Sequence, residues 1–192
     1  MVSREKIEEF IRRAYDTACS HGFHDRKLSD EHYMMLVLSE IGEMVEADRK
    51  GRRAFSGDKL DISGKSYDEW FESNIKDTLE DELADVVIRI CDFCGERGLT
   101  PYMCNDGLLE MHMDFSRIFG DMSVCEQCFA LSCLVSDISR KANDNNDKEH
   151  YLGSILSFCF EFSRFHGFDL EWHVEHKMEY NESRPRKHGK EY

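Results

Sequence analysis

Apolar side chains recur at spacings of three and four residues along nearly the whole chain, the period at which one face of an α-helix repeats. Ile7, Phe10 and Ile11 begin the first such stripe, and only 2 of the 192 residues are proline. Little therefore prevents long helices. The pattern predicts an all-α helical bundle, in a single domain that spans residues 1–192.

Local signals place the helix boundaries. Two Ser-x-x-Glu capping boxes, Ser66–Glu69 and Ser123–Glu126, each predict a helix start. Gly98 and Gly167 are typical of helix ends. The predicted helices beyond the first cover about 30–50, about 74–97, about 123–142, 148–166 and 170–183, with a polar loop at 51–65 and a polar turn at 143–147.

The chain contains a weak internal repeat. Residues 36–40 resemble 129–133, and residues 86–93 resemble 155–162. Two degenerate hairpins, at about 30–98 and about 123–167, would then pack together as a pseudo-dimer, because neither can bury its apolar face alone. The alternative is that any two amphipathic hairpins align this well, and the sequence leaves both interpretations open.

The net charge of the chain narrows the classes of partner that it can bind. Lys and Arg number 25 against 39 Asp and Glu, a net charge of −14, which argues against nucleic acid because that partner needs cations for its phosphates. A small phosphate ligand held through a metal is not excluded.

The apolar runs are too short for a membrane span, and the charged N-terminus is unlike a signal peptide. We expect a cytoplasmic protein with reduced thiols and no membrane partner.

Two acidic pairs stand at helical spacing. Glu40 and Glu43 form the first pair, Glu82 and Asp85 the second, and a separation of three residues puts each pair on one helix face. Leu, Val and Met flank Glu40 and Glu82, so both acids fall on the stripe that faces the core. Clustered carboxylates cannot pair with one another, and Mg²⁺ prefers oxygen ligands. The alternative, a solvated acidic face, is the interpretation that we prefer for Glu46, Glu80 and Asp81.

The C-terminal helix carries groups that suit phosphate oxygens. Lys177 and Asn181 lie one turn apart, and Arg184 follows at the helix exit. Cationic and amide donors of this kind bind groups that carry both charge and lone pairs. The alternative is a basic tail that offsets local acidity, which we prefer for Arg186 and Lys187.

Three segments carry a family resemblance: LSEIGEMVEA at 38–47, LEDELADVV at 79–87 and KMEYNESRPRKHGK at 177–190. Together they resemble the MazG-type nucleoside triphosphate pyrophosphohydrolases, an all-α superfamily that includes the dimeric dUTPases and the dCTP pyrophosphatases. The resemblance covers 30–98 and the final helix with its tail at 170–192. Residues 102–165 match only through the weak repeat.

The resemblance implies a function and a site. The metal would be Mg²⁺, with Mn²⁺ as a substitute, and its ligands would be Glu40, Glu43, Glu82 and Asp85. The triphosphate would be contacted by Lys177 and Asn181, with Arg184 in support. Glu43 would also be catalytic, orienting or deprotonating the attacking water. The reaction would convert a dNTP or non-standard NTP to the monophosphate and pyrophosphate, as house-cleaning in nucleotide metabolism. The resemblance also implies a homodimer. The internal repeat weakens this expectation, because a duplicated chain can form the same packing within itself.

Two departures from the family pattern bear on this expectation. Thirty-nine positions separate Glu43 from Glu82, more than in compact members of the family. The sequence therefore does not assign which residues near Trp70 and Phe71 face the substrate. The second hairpin would lack a metal site, because its corresponding residues are Cys133, Ser136, Tyr151 and Ser154. The alternative function is a non-catalytic nucleotide-binding or structural helical protein with a vestigial site.

Other motifs are interpreted as structural. Two CxxC pairs, at 91–94 and 125–128, suggest zinc, but the helical pattern around the first pair favours buried core thiols. His173 and His176 share a helix face, for which a surface pair is favoured. No Glu-x-x-His motif of a di-iron bundle occurs. Three aromatic residues could stack on a base but are expected in the core: Trp70, Phe71 and Trp172.

Overall fold

The computed structural model describes residues 2–54, 64–102 and 119–186, and within these ranges the chain forms seven complete α-helices, a short helical segment at 119–121 and no β-strand. The helices are α1 (Arg4–Ser20), α2 (Asp30–Arg49), α3 (Tyr67–Asn74), α4 (Leu79–Arg97), α5 (Val124–Lys141), α6 (Asn145–His166) and α7 (Leu170–Ser183). The predicted all-α fold is confirmed. None of the described helices combines the length and the apolar character that crossing a lipid bilayer requires.

Short polar side chains start each of these helices. Every N-cap is a Ser, Thr or Asp whose side chain accepts a hydrogen bond from a backbone N–H in the first turn, which satisfies a donor that the helix itself leaves free. Both predicted capping boxes are present, at Ser66–Glu69 and Ser123–Glu126. Gly98 and Gly167 end α4 and α6 in the left-handed region, at φ of 64° and 79°.

The boundary before α4 differs from the prediction. Instead of one helix from about residue 74, the chain leaves α3 at Asn74 and re-enters helix at Leu79. Asp77 adopts a left-handed φ of 58°, which interrupts the helix, and Thr78 caps the next one by accepting the N–H of Asp81 at 3.3 Å. This turn has a consequence for the site, because it directs Lys76 and Asp77 towards a cavity.

Three further expectations are corrected or fall partly outside the described residues. The helix predicted from residue 148 begins at Asn145 with Asp144 as its N-cap, so part of the predicted polar turn is helical. The predicted loop at 51–65 is described only at its two ends, and the end of the tail, 187–192, lies outside the described residues.

Helix α4 is the centre of the bundle. It packs against α1, α2, α6 and α7, while α2 also packs on α5 and α5 on α6. The hairpins α2/α4 and α5/α6 therefore meet through α2 with α5 and α4 with α6, the arrangement expected of two stacked hairpins. A common origin for the two hairpins stays a prediction.

The main core lies around α4. Leu83, Val87 and Ile90 are fully buried there, and residues from α1, α2, α5, α6 and α7 complete the cluster. Removing this apolar surface from water is the main source of stability. A smaller cluster, built on Trp70 and Phe71, packs α3 against α7. Helices α1, α2, α4 and α7 leave a cavity between them on one side of the core.

Candidate functional site

Three carboxylates from two helices converge in this cavity. Glu40 comes from α2, Glu82 and Asp85 come from α4, and one oxygen of each lies within 4.8 Å of the others. We call these three residues the acidic trio. Glu40 and Glu82 are buried because their helix positions share the face of apolar neighbours such as Val37 and Val86, as the sequence predicts.

The burial and the crowding of the trio resist negative charge. Burial raises the pKa of Glu82 to about 9, and the charges of Asp85 and Asp81 add to this effect. Burial also raises the pKa of Glu40, with Asp85 adding to the shift and Arg89 opposing it. The positive charges of Arg89 and Lys177 oppose these shifts without cancelling them, and a hard divalent cation with oxygen ligands would add the remaining counter-charge.

Glu43 belongs to the same cavity but not to the trio. It lies one turn after Glu40 on α2 and is exposed to solvent, and it lines the cavity. Of the four predicted metal ligands, the structure thus brings three together and places the fourth beside them. An exposed carboxylate in this position can contact a water molecule or a ligand that enters from solvent.

The three predicted phosphate contacts line the same cavity from α7 and its exit. The guanidinium of Arg184 lies 5.6 Å from the centre of the Tyr180 ring, whose face fixes the direction of the side chain. Oδ1 of Asn181 is buried and has no hydrogen-bond partner among the described residues. A polar atom in this state is costly unless a ligand or water satisfies it.

Lys177 does not face the cavity as a free cation. It is buried, and its Nζ lies 2.7 Å from Oδ2 of Asp81 and 2.8 Å from Oδ2 of Asp85. Burial opposes the charge of Lys177, but the carboxylates of Asp85 and Asp81 outweigh it, so the pKa of Lys177 is raised. Its ammonium also lies 5.6 Å from the centre of the Phe71 ring. The residue therefore stays charged in the site.

The cavity has a volume of about 250 Å³. Its wall combines charged side chains, among them the trio and Lys177, with small and apolar side chains such as Ala14, Ala18 and Ile88. A small ligand that carries both charged and apolar groups would match this mixed lining.

Sequence reasoning missed several polar residues that are buried or that line the cavity. Asp81 was expected on a solvated face, which is wrong, because the residue is 1% exposed and pairs with Lys177. The same expectation is wrong for Glu80, which is buried and accepts the N–H of Ala54 at 2.8 Å. Four polar residues that line the cavity were also not predicted: Lys76, Asp77, Arg89 and Asp92. Asp92 and Arg89 continue the face of α4 that carries Asp85, a spacing from which they could have been found.

The remaining motifs are structural. Cys91, Cys94 and Cys128 are buried, and burial raises the pKa of each thiol, as expected for core cysteines. Within the described ranges, the trio is the only group of three or more His, Cys, Asp or Glu side chains close enough to share a metal ion. His173 is buried, so the predicted surface pair is wrong for this residue, and burial lowers its pKa to about 4.

The aromatic residues follow the expectation. Trp70 and Phe71 are buried, and Trp172 packs against their cluster edge-on to Trp70. They hold α3 to α7 and so fix the helix that carries Lys177.

Comparison with known protein families, curated proteins and solved structures finds no match for this chain. Its function must therefore be argued from the geometry of the site and from the motifs that form it.

Proposed function

We propose that this protein hydrolyses a nucleoside triphosphate, a dNTP or a non-standard NTP, to the monophosphate and pyrophosphate with Mg²⁺ as cofactor. The observation that supports this most is that one cavity collects the acidic trio and all three residues of the KxxxNxxR segment. These come from elements far apart in sequence. A solvated acidic face, the competing interpretation, gives no reason for buried carboxylates to meet a buried lysine and an unpartnered amide oxygen.

The donor set fits a hard divalent cation, since its ligands are carboxylate oxygens. A cation held by the trio would neutralise charge on the phosphate oxygens and lower the pKa of bound water. Nδ2 of Asn181 and the guanidinium of Arg184 would donate hydrogen bonds to phosphate oxygens, and Lys177 would contribute a fixed positive charge close to them. Glu43, exposed at the cavity, would orient the attacking water and accept its proton.

The proposed reaction is a displacement at the α-phosphorus. The water oxygen forms a bond to that phosphorus, the bond to the oxygen that bridges the α- and β-phosphates breaks, and pyrophosphate leaves with the electron pair. One proton of the water passes to Glu43 and then to solvent. Positioning and electrostatic stabilisation would supply most of the acceleration, as is general for phosphoryl transfer.

A panel of NTPs and dNTPs, including dUTP, dCTP and oxidised nucleotides, tests this proposal with and without Mg²⁺. We expect pyrophosphate, rather than orthophosphate, to be released from some members of the panel, and only when the metal is present. In ¹⁸O-labelled water the label should appear in the monophosphate. Label in the pyrophosphate, or no release across the panel and no Mg²⁺-dependent thermal shift, would contradict the proposal.

Glu43→Gln is the matched test of the catalytic residue. Removing the base should lower kcat by roughly 10²- to 10⁴-fold and leave the fold intact, because Glu43 is exposed. Glu46→Gln, on the same helix, is the control, since Glu46 pairs with Arg49 and Lys50 on the surface. Equal activities of the two variants would remove Glu43 from this role.

One observation favours the second candidate, a protein that binds nucleotides without hydrolysing them. Lys177 already neutralises part of the charge of Asp81 and Asp85, so part of the cluster is stable without a metal. This candidate predicts a nucleotide-dependent thermal shift, with no pyrophosphate released and no effect of Glu43→Gln.

A further inference from the structure

The ammonium of Lys177 lies between two carboxylates that have different surroundings. Asp85 lines the cavity and belongs to the trio. Asp81 is 1% exposed and is not among the residues that line the cavity. Its Oδ2 is nonetheless as close to Nζ as that of Asp85, at 2.7 Å against 2.8 Å. Of the two carboxylates that hold Lys177, a ligand in the cavity can therefore reach only Asp85.

Asp81 is also fixed without the help of Lys177. Its Oδ2 accepts the backbone N–H of Asp77 at 3.0 Å, and its own N–H donates to Oγ1 of Thr78. Its Oδ1 is buried and has no hydrogen-bond partner among the described residues. Because desolvation offsets much of the attraction in a buried ion pair, stability alone does not explain a carboxylate at this position.

A cation at the trio and the ammonium of Lys177 would both require Asp85. If Asp85 were the only carboxylate near Lys177, binding of a divalent cation would leave a buried ammonium without a counter-charge, and the two cations would repel each other. With Asp81 in place, the ammonium keeps a fixed partner when Asp85 turns to the metal. It also stays in the wall of the cavity.

We propose that Asp81 is a positioning residue, which holds Lys177 in the site and thereby leaves Asp85 free to bind the divalent cation. This proposal rests on the proposed function only for what the bound metal does in the reaction. The binding of a divalent cation at the trio is tested separately. Asp81 acts through Lys177, so its removal should weaken metal binding only while Lys177 is present.

The test measures binding of Mn²⁺ alone by the EPR signal of the free ion, with circular dichroism as a check of the fold. Asp81→Asn keeps an acceptor for the N–H of Asp77 and leaves Lys177 paired with Asp85 alone. Glu80→Gln is the matched control, because Glu80 is the adjacent buried acid and also accepts a backbone N–H, that of Ala54. It has no contact with Lys177 in the described structure.

We expect Asp81→Asn to raise the dissociation constant for Mn²⁺ by roughly fivefold or more, the usual size of a coupling between sites, and Glu80→Gln to leave it unchanged. The double variant Asp81→Asn/Lys177→Met removes both buried charges, so it should bind Mn²⁺ at least as tightly as the wild type. The double variant also serves if the single variant does not fold. A wild-type constant in folded Asp81→Asn, or weaker binding by the double variant, would overturn the proposal.

The two proposals fail in different ways. If the wild type releases pyrophosphate but Asp81→Asn binds Mn²⁺ normally, the role of Asp81 is wrong and the activity stands. If no nucleotide is hydrolysed but Asp81→Asn weakens Mn²⁺ binding through Lys177, the role of Asp81 stands and the activity is wrong. Absence of Mn²⁺ binding by the wild type would overturn both.

Discussion

The guanidinium of Arg89 on α4 is the counter-charge of Glu40 on α2. Its Nε and Nη2 both lie 3.0 Å from Oε1 of Glu40, which is itself buried. The pair joins the two helices that build the acidic trio. It also orients the carboxylate that α2 contributes, since a guanidinium fixes geometry better than a flexible ammonium would.

Arg89→Met should therefore destabilise the protein while it keeps the packing of the aliphatic chain. It leaves Glu40 buried without its partner, and breaking a buried pair in this way costs about 3 kcal/mol, or a fall in Tm of about 10 °C for a chain of this size. Mg²⁺ should raise the Tm of the variant by more than that of the wild type, because a cation replaces the lost charge.

Arg49→Met is the control for this experiment, since the Arg49 side chain is 75% exposed and pairs with Glu46 on the surface. Such surface pairs contribute little, and Tm should not change. Equal losses in the two variants would show that Arg89 has no special relation to Glu40.

Glu82→Gln should separate stability from metal binding. Glu82 is buried beside two other acids, so an uncharged side chain of the same shape is no worse, and the variant should unfold at the wild-type temperature or above it without metal. Its thermal shift with Mg²⁺ should be lost because an amide is a poor metal ligand. Functional sites often show this conflict between stability and activity. Glu80→Gln should keep the Mg²⁺ shift, and a normal shift in Glu82→Gln would exclude the residue from the metal site.

Local signals in the sequence were sufficient for several helix ends and for the burial of two of the acids. Ser66, Ser123 and Gly98 act within a few residues of themselves, so their roles do not depend on the rest of the fold. The apolar neighbours of Glu40 and Glu82 similarly settle which helix face those acids share.

Features that depend on a helix distant in sequence could not be predicted from such local signals. Asp81 looks like one more acid in a helix N-terminus, and only the approach of Lys177 from α7 makes it part of the site. The left-handed turn at Asp77 is equally hidden, because the residues around it are compatible with helix, and it is the hydrogen bond from its N–H to Asp81 that secures the turn.

His24 should make the stability of the protein depend on pH. Burial opposes protonation of His24, but the hydrogen bond that its Nε2 donates to Oδ1 of Asp92 at 2.7 Å and the charges of Asp92 and Glu96 outweigh it, so the pKa of His24 is raised. A histidine with a raised pKa in the folded state contributes stability that is complete below pH 6.5 and is lost as pH rises through the folded value.

His24→Gln, which can still donate a hydrogen bond to Asp92, should therefore lose more stability at pH 6 than at pH 9. Urea unfolding of the variant and the wild type in the same buffers measures the difference. The same loss at both pH values would mean that the charge of His24 contributes nothing and that only its packing does.

Two glycines within helices should respond oppositely to alanine. A Cβ at Gly95 would lie 2.5 Å from Cβ of Tyr15, so α1 and α4 would have to separate, whereas a Cβ at Gly42 meets nothing within 4 Å. We expect Gly95→Ala to lower the free energy of unfolding by about 1–3 kcal/mol, and Gly42→Ala to raise it by up to about 1 kcal/mol, the difference in helix propensity. Urea unfolding measures both, and each variant is the other's control. Stabilisation by both substitutions would show that α1 is not packed closely on α4, and with it that α1 does not form the wall of the cavity described above.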